Sequence, residues 1–99
     1  MSRVIWTEAA SRALLTAFLF LEKLDADAAE KAVQTILAGT KILGKFPNAG
    51  RPANDLEPEQ KELPIPFGSS GYVVLYEVEG ESVYILALRH QREAGYGGH

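Results

Sequence analysis

Apolar and polar positions follow two different periods along this chain, and the switches between them mark its elements. Residues 3–6, Arg-Val-Ile-Trp, form a short β-type run. Thr7-Glu8 then supplies a capping hydroxyl and an acidic first turn, where the helix dipole favours negative charge. From residue 8 to about residue 24, Ala10, Leu14, Ala17, Phe18 and Leu21 recur on one helical stripe, the spacing of a face packed on a core. Leu19 and Phe20 fall off that stripe, which leaves two readings: contact with a following helix, or an apolar patch kept for a partner protein. After a break at 24–27, Asp27 and Glu30 have the spacing of a capping box, so a second helix is expected from there to about residue 43. Ala29, Val33, Ile36, Leu37 and Leu43 are available for burial on it, and Gly39 is a weak point costing about 1 kcal/mol relative to alanine. So short a connection predicts an antiparallel helical hairpin.

Residues 46–52, Phe-Pro-Asn-Ala-Gly-Arg-Pro, have the composition of a turn, which Pro58 extends. Three strand-like runs follow at 61–67, 72–78 and 82–88, separated by Gly68-Ser69-Ser70-Gly71 and Glu79-Gly80-Glu81, which is hairpin chemistry. Pro64 and Pro66 cannot donate ladder hydrogen bonds, so the first run is expected to be irregular or at an edge. The last run is apolar throughout from Val83 to Leu88, as in a strand buried on both faces, and must end near Arg89 or His90, where polar residues begin. Strict alternation puts Val83, Ile85, Ala87 and Arg89 on one face and Tyr84, Leu86, Leu88 and His90 on the other, so Arg89 and His90 leave in opposite directions. The predicted architecture is α+β, ordered β-α-α-β-β-β: an antiparallel sheet with a helical hairpin on one face. It forms a single domain over residues 1–99, with the glycines of residues 95–99 predicting a frayed tail.

Composition narrows the functional classes. A chain of 99 residues with 46% hydrophobic and 23% charged content fits one compact domain burying somewhat over about 60% of its unfolded surface. There is no cysteine, so neither disulfides nor thiolate metal sites contribute. His90 and His99 are the only histidines and have no ligand cluster beside them, so neither a metal nor another cofactor is expected. No apolar run approaches the length of a membrane span, and the start lacks signal-peptide features, so a cytoplasmic location is expected. Ten Lys and Arg against thirteen Asp and Glu give a net charge of -3, which offers no general attraction to nucleic acid. The acidic runs at Asp55, Glu57, Glu59 and Glu62 and at Glu77, Glu79 and Glu81 read as solvated charge. Arg51 is expected to pair locally with Asp55 or Glu57, and Tyr72, Tyr76 and Tyr84 to serve as packing residues with a polar tip.

Several stretches, taken in order, resemble the RelE/ParE superfamily of bacterial type II toxins across nearly the whole chain. They are Trp6-Thr7-Glu8-Ala9-Ala10, residues 43–51, Lys61-Glu62-Leu63, Gly71-Tyr72 with the strand to Val78, and Ile85-Leu86-Ala87-Leu88-Arg89-His90-Gln91-Arg92. The Pro-x-x-Gly-Arg loop containing Gly50 and Arg51, and the His-x-Arg at 90–92, are more similar to the ParE branch. Val73 stands where RelE-like nucleases commonly carry an arginine after the tyrosine of Gly-Tyr.

The resemblance implies a toxin that inhibits DNA gyrase by protein contact, with Arg89, His90, Arg92 and Tyr96 as target-binding residues. It also implies a cognate antitoxin, for which Leu19 and Phe20 are the candidate contacts, and assembly as a homodimer or a toxin-antitoxin hetero-oligomer. The alternative is a ribosome-dependent, metal-independent mRNA endoribonuclease. His90, Arg92 and Tyr96 would then supply base, cation and acid for attack by the 2′-hydroxyl. A further alternative is a non-toxic module that only binds an antitoxin. Set against these roles, His90 also reads as a strand-end histidine packed on Leu88 with its nitrogens bonded to backbone.

Overall fold

The computed structural model describes residues 2–52, 57–93 and 96. Its elements are β1 (Arg3–Trp6), α1 (Glu8–Leu24), α2 (Ala26–Lys41) ending in a 3-10 turn (Ile42–Gly44), β2 (Arg51–Pro52), β3 (Gln60–Phe67), β4 (Ser70–Glu79) and β5 (Ser82–His90). The five strands form one sheet in the order β1-β5-β4-β3-β2. The expected β-α-α-β-β-β order is present, with the two-residue β2 added at the far edge. The sheet is mixed rather than wholly antiparallel, because β1 pairs parallel with β5 while the other neighbours are antiparallel. Parallel neighbours need a long crossover, and the helical hairpin and the rest of the sheet lie between these two in sequence.

Local chemistry fixes the helix ends. Thr7 caps α1, its hydroxyl accepting from the Ala10 amide at 3.2 Å and donating to the Ile85 carbonyl at 2.7 Å; the Thr7 amide reaches the same carbonyl at 3.1 Å. One residue thus both starts α1 and ties it to β5. The cap of α2 is Asp25, not Asp27: its carboxylate accepts from the Ala28 amide at 3.2 Å. Asp25 also closes α1, its amide bonding the Leu21 carbonyl, so one extended residue serves both helices. Gly39, unfavourable in a helix by propensity, lets α2 approach the sheet, since a Cβ there would lie 3.0 Å from the Ile65 Cδ1. The core lies between the hairpin and one sheet face, where Ala10, Ala32, Ile36 and Leu43 meet Ile65, Val74, Tyr76, Val83, Ile85 and Leu88.

Two strand expectations are refined. The β4–β5 register slips between Leu75, opposite Ala87, and Tyr76, opposite Ile85, leaving Leu86 as an extra residue. Beyond this bulge the faces exchange. Val83, Ile85, Leu88 and His90 therefore share the helix side, whereas Ala87 and Arg89 lie with Tyr84 on the other; Arg89 and His90 still diverge. The proline-containing β3 is a regular strand of eight residues against β4. Its partner β2 reaches only Lys61 and Glu62, so Pro64 and Pro66 sit where β3 is an edge and their missing donors interrupt no ladder.

The loop before β2 is held by one phenol. Tyr76 is fully buried, donates to the Pro47 carbonyl at 2.8 Å and accepts from the Gly50 amide at 2.9 Å. Gly50 lies so close to the sheet that a Cβ would stand 2.5 Å from the Glu62 carbonyl oxygen and 2.6 Å from the Tyr76 hydroxyl. Gly50→Ala is therefore expected to destabilise the fold by about 2 kcal/mol through overpacking. Thermal unfolding checks this, with a drop of roughly 10 °C expected at this chain length.

Burial raises the phenol pKa of Tyr72 and of Tyr76, reinforced at Tyr72 by the charge of Glu93 and partly opposed at Tyr76 by the Gly50 amide. Their protons are held more tightly in the folded chain than in the unfolded one. This contribution to stability is complete below the ordinary tyrosine value near ~10 and is lost as pH climbs through the native values. Unfolding midpoints measured from pH 8 to 12 should fall only above about pH 10, with phenolate absorbance from these two rings appearing late.

Candidate functional site

Beyond the bulge, β5 delivers Arg89 and His90 to opposite sides of the sheet, opposite Val73 and Tyr72 respectively. The Arg89 side chain is only 16% exposed. Its Nη1 donates to the Glu93 carbonyl at 3.1 Å and lies 3.3 Å and 3.4 Å from the carbonyls of Gln91 and His90, so the guanidinium staples the turn that follows the strand. Its Nη2 forms an ion pair with Glu62 at 3.6 Å, and the Tyr96 ring lies 5.3 Å from its Cζ, within cation–π range.

Glu62 is the centre of this arrangement. It projects from β3 onto the face away from the helices and is 8% exposed. Arg51 Nε lies 3.7 Å from its Oε1, and the Tyr96 hydroxyl donates to its Oε2. Burial, followed by the hydrogen bond and charge of Glu62, pushes the Tyr96 phenol well above its ordinary range, while Arg89 opposes the shift. The pairing of Arg51 with Glu62 replaces the local one expected with Glu57; Asp55 lies outside the described residues. Pairing across the sheet follows from Gly50 and Tyr76, which hold the loop so that Arg51 enters β2 opposite Glu62. Residues 95 and 97–99 of the expected frayed tail also lie outside the described residues, and Tyr96 itself is bonded to Glu62.

On the helix side, the His90 Nδ1 accepts from the Arg92 amide at 3.2 Å, which assigns the ring proton to Nε2, 3.1 Å from the Ser70 hydroxyl. The ring stands edge-on to Tyr72 at a centroid distance of 5.4 Å, and the His90 amide donates to the Glu93 carboxylate at 2.8 Å. This is a satisfied strand-end histidine, packed on Tyr72 where the sequence pointed to Leu88. Of the residues expected to meet a target, Arg89 and Tyr96 are bound together through Glu62, and His90 makes separate bonds but lines the same cleft beside α1 as both of them. Arg92 lies outside that cleft, exposed and without an ion pair among the described residues. In the alternative set of His90, Arg92 and Tyr96, the histidine nitrogens bond to Ser70 and to the Arg92 amide, and the tyrosine hydroxyl bonds to Glu62.

A second feature adjoins the strand end. Since β1 pairs only with residues 82–85 of β5, the outer edge of β5 from Leu86 onward has no strand partner among the described residues. An open groove of about 950 Å³ runs there, with Ala9, Ala13, Thr16 and Phe20 of α1 on one side and Leu86 and Leu88 on the other. Phe20 is 66% exposed on the groove, whereas Leu19, 46% exposed, is not part of its lining. Neither is buried against α2. The two therefore belong to the surface, but to different parts of it.

Sequence reasoning counted Glu62 only as one charge in an acidic run and as part of a family motif. The usable signal was its place inside a strand, two residues before the first proline, where a solvated charge is unusual.

Comparison with known proteins agrees with this fold. The family described as the ParE toxin of type II toxin-antitoxin system, parDE, matches residues 4–95. Toxin RelE1 of Caulobacter vibrioides is 32% identical over 75 residues, covering 76% of this chain and 77% of that protein. Toxin RelE3 of the same organism is 33% identical over 66 residues, covering 67% and 68%. A solved structure described as the chromosomal ParDE TA system from P. aeruginosa superposes with a TM-score of 0.75 at 27% identity, covering 93% of this chain and 96% of that one. On sequence and fold alike, the chain belongs to the ParE toxin family of type II toxin-antitoxin systems, within the RelE/ParE superfamily.

Proposed function

We propose that this toxin acts in the bacterial cytoplasm by docking on DNA gyrase rather than by cleaving RNA. The observation that carries this reading is the mutual satisfaction of the polar groups at the end of β5. Arg89 and Tyr96 are engaged by Glu62, and both His90 nitrogens are bonded, an arrangement that gives a rigid shape but no free acid–base pair. Two further features support it: fully buried Val73, where RelE-like nucleases commonly carry an arginine, and a net charge of -3, unfavourable for an anionic ribosome. In this reading Arg92 is the outward cation that meets the target, with His90 and Gln91 shaping the turn around it, while Arg89 and Tyr96 hold that turn from behind.

Family membership implies a cognate antitoxin. The groove beside the open edge of β5 is its proposed seat, with Phe20 as an apolar anchor and Leu19 on the adjoining surface. The names RelE1 and RelE3 of the Caulobacter relatives favour the rival reading, ribosome-dependent mRNA cleavage.

Purified toxin should inhibit supercoiling by gyrase and leave mRNA intact on ribosomes. A-site cleavage abolished by His90→Ala or Tyr96→Phe, without gyrase inhibition, would establish the nuclease instead. Normal growth and chromosome morphology on expression without antitoxin would establish a non-toxic binding module. Arg92→Ala should weaken gyrase inhibition about tenfold without changing the unfolding midpoint, whereas Arg89→Ala should lower both. Phe20→Ser should weaken antitoxin binding more than Leu19→Ser, as read by calorimetric titration; unchanged affinity in both would remove the groove from the interface.

A further inference from the structure

The face of the sheet away from the helices carries an arrangement whose chemistry goes beyond holding the strand end for docking. Two guanidiniums and a phenol converge on one carboxylate: Arg51 Nε at 3.7 Å from Oε1, and Arg89 Nη2 at 3.6 Å and the Tyr96 hydroxyl at Oε2 of Glu62. Arginine forks with a hydroxyl donor are the groups that recognise phosphate and other tetrahedral oxyanions, and a carboxylate is the internal group closest to such a ligand in charge and acceptor geometry.

The Arg89 guanidinium and the backbone that carries Arg51 are held by contacts that do not involve the carboxylate. Arg51 follows Gly50, whose amide is fixed by Tyr76, and Arg89 is held by the carbonyl of Glu93. Removing the carboxylate would leave the Arg89 guanidinium held and Arg51 anchored through its backbone, both now without that counter-ion. Two guanidiniums against one carboxylate already leave one positive charge in excess. The next carboxylate along the strand end, Glu93, is engaged elsewhere, accepting from the His90 amide. The Arg51 side chain is 59% exposed, so the cluster is open to solvent on that side.

We infer that Arg51, Arg89 and Tyr96 form a preassembled oxyanion seat whose resting occupant is the carboxylate of Glu62, so that phosphate-type ligands are excluded until that carboxylate is withdrawn. Glu62 is thus an internal substitute for the anion. The same residues that close this face in the native chain would open a phosphate site on it with a single substitution. This inference shares Arg89 and Tyr96 with the docking reading and with the groove lining, but its test reads phosphate binding at Arg51, Arg89 and Tyr96 and needs neither gyrase nor antitoxin.

The test is titration with inorganic phosphate at constant ionic strength, followed by the arginine Nε and tyrosine ring resonances. The wild-type chain should show no saturable shift. Glu62→Ala, which vacates the seat, should bind phosphate at least tenfold more tightly than wild type, with shifts localised to Arg51, Arg89 and Tyr96. Glu62→Gln, which removes the charge but keeps the volume, should fall between the two. Adding Arg51→Ala to Glu62→Ala should abolish the gain. Circular dichroism identifies which variants are folded, and if Glu62→Ala is not, Glu62→Gln decides. The inference is overturned if the folded variants bind phosphate no more tightly than wild type, if wild type already binds saturably at these residues, or if the gain survives loss of Arg51.

Discussion

A carboxylate on a sheet face with almost no access to water must find partners or be neutralised, and Glu62 meets that demand with three. Each partner comes from a different part of the chain: Arg51 from the loop after the helical hairpin, Arg89 from the end of β5, and Tyr96 from beyond the last turn. One buried charge therefore links side chains from segments that share no element. The distances of 3.6 and 3.7 Å are those of ion pairs rather than short hydrogen bonds, so charge and desolvation account for the coupling more than bond geometry does.

That convergence depends on the backbone beneath it. The extra residue Leu86 in β5 moves Arg89 onto the Glu62 face and His90 onto the helix face. The Ile85 carbonyl, just before the bulge, is held by both the amide and the hydroxyl of Thr7, so the start of α1 and the irregularity in β5 share one anchor. Because β1 ends there, the remainder of β5 has an open edge and the groove beside α1 exists. The bulge thus sets which face Arg89 and His90 take, and the end of β1 pairing leaves the edge beside which the groove lies.

Much of the fold was legible because it rests on local chemistry. The stripe of α1, the hydroxyl of Thr7, the glycine turns at 68–71 and 79–81 and the apolar run of β5 each declare an element without tertiary information. The face assignment in β5 was not legible, since a bulge leaves no mark on an apolar run in which every residue suits either face. Asp27 has the better sequence motif for a cap, whereas Asp25 is the extended residue whose amide closes α1 and whose carboxylate opens α2. The partner of Arg51 was hidden for a related reason: Asp55 and Glu57 are near in sequence, whereas Glu62 is near only after Tyr76 has fixed the loop. The site was legible as a cluster of residue types after β5, but its division into a staple, Arg89, and an outward cation, Arg92, depends on contacts that only folding creates.

Family membership makes the chain a toxin and implies a cognate antitoxin, and the structure adds the contacts that hold the end of β5. The claim on which the rest stands is that Glu62 and Arg89 stabilise the chain as a coupled pair and not as two independent side chains. A double-mutant cycle of Glu62→Gln and Arg89→Gln, read by denaturant unfolding, tests it directly. A coupling of at least about 1 kcal/mol is expected, with the double variant losing less stability than the sum of the two single variants. Additivity within about 0.3 kcal/mol would contradict it.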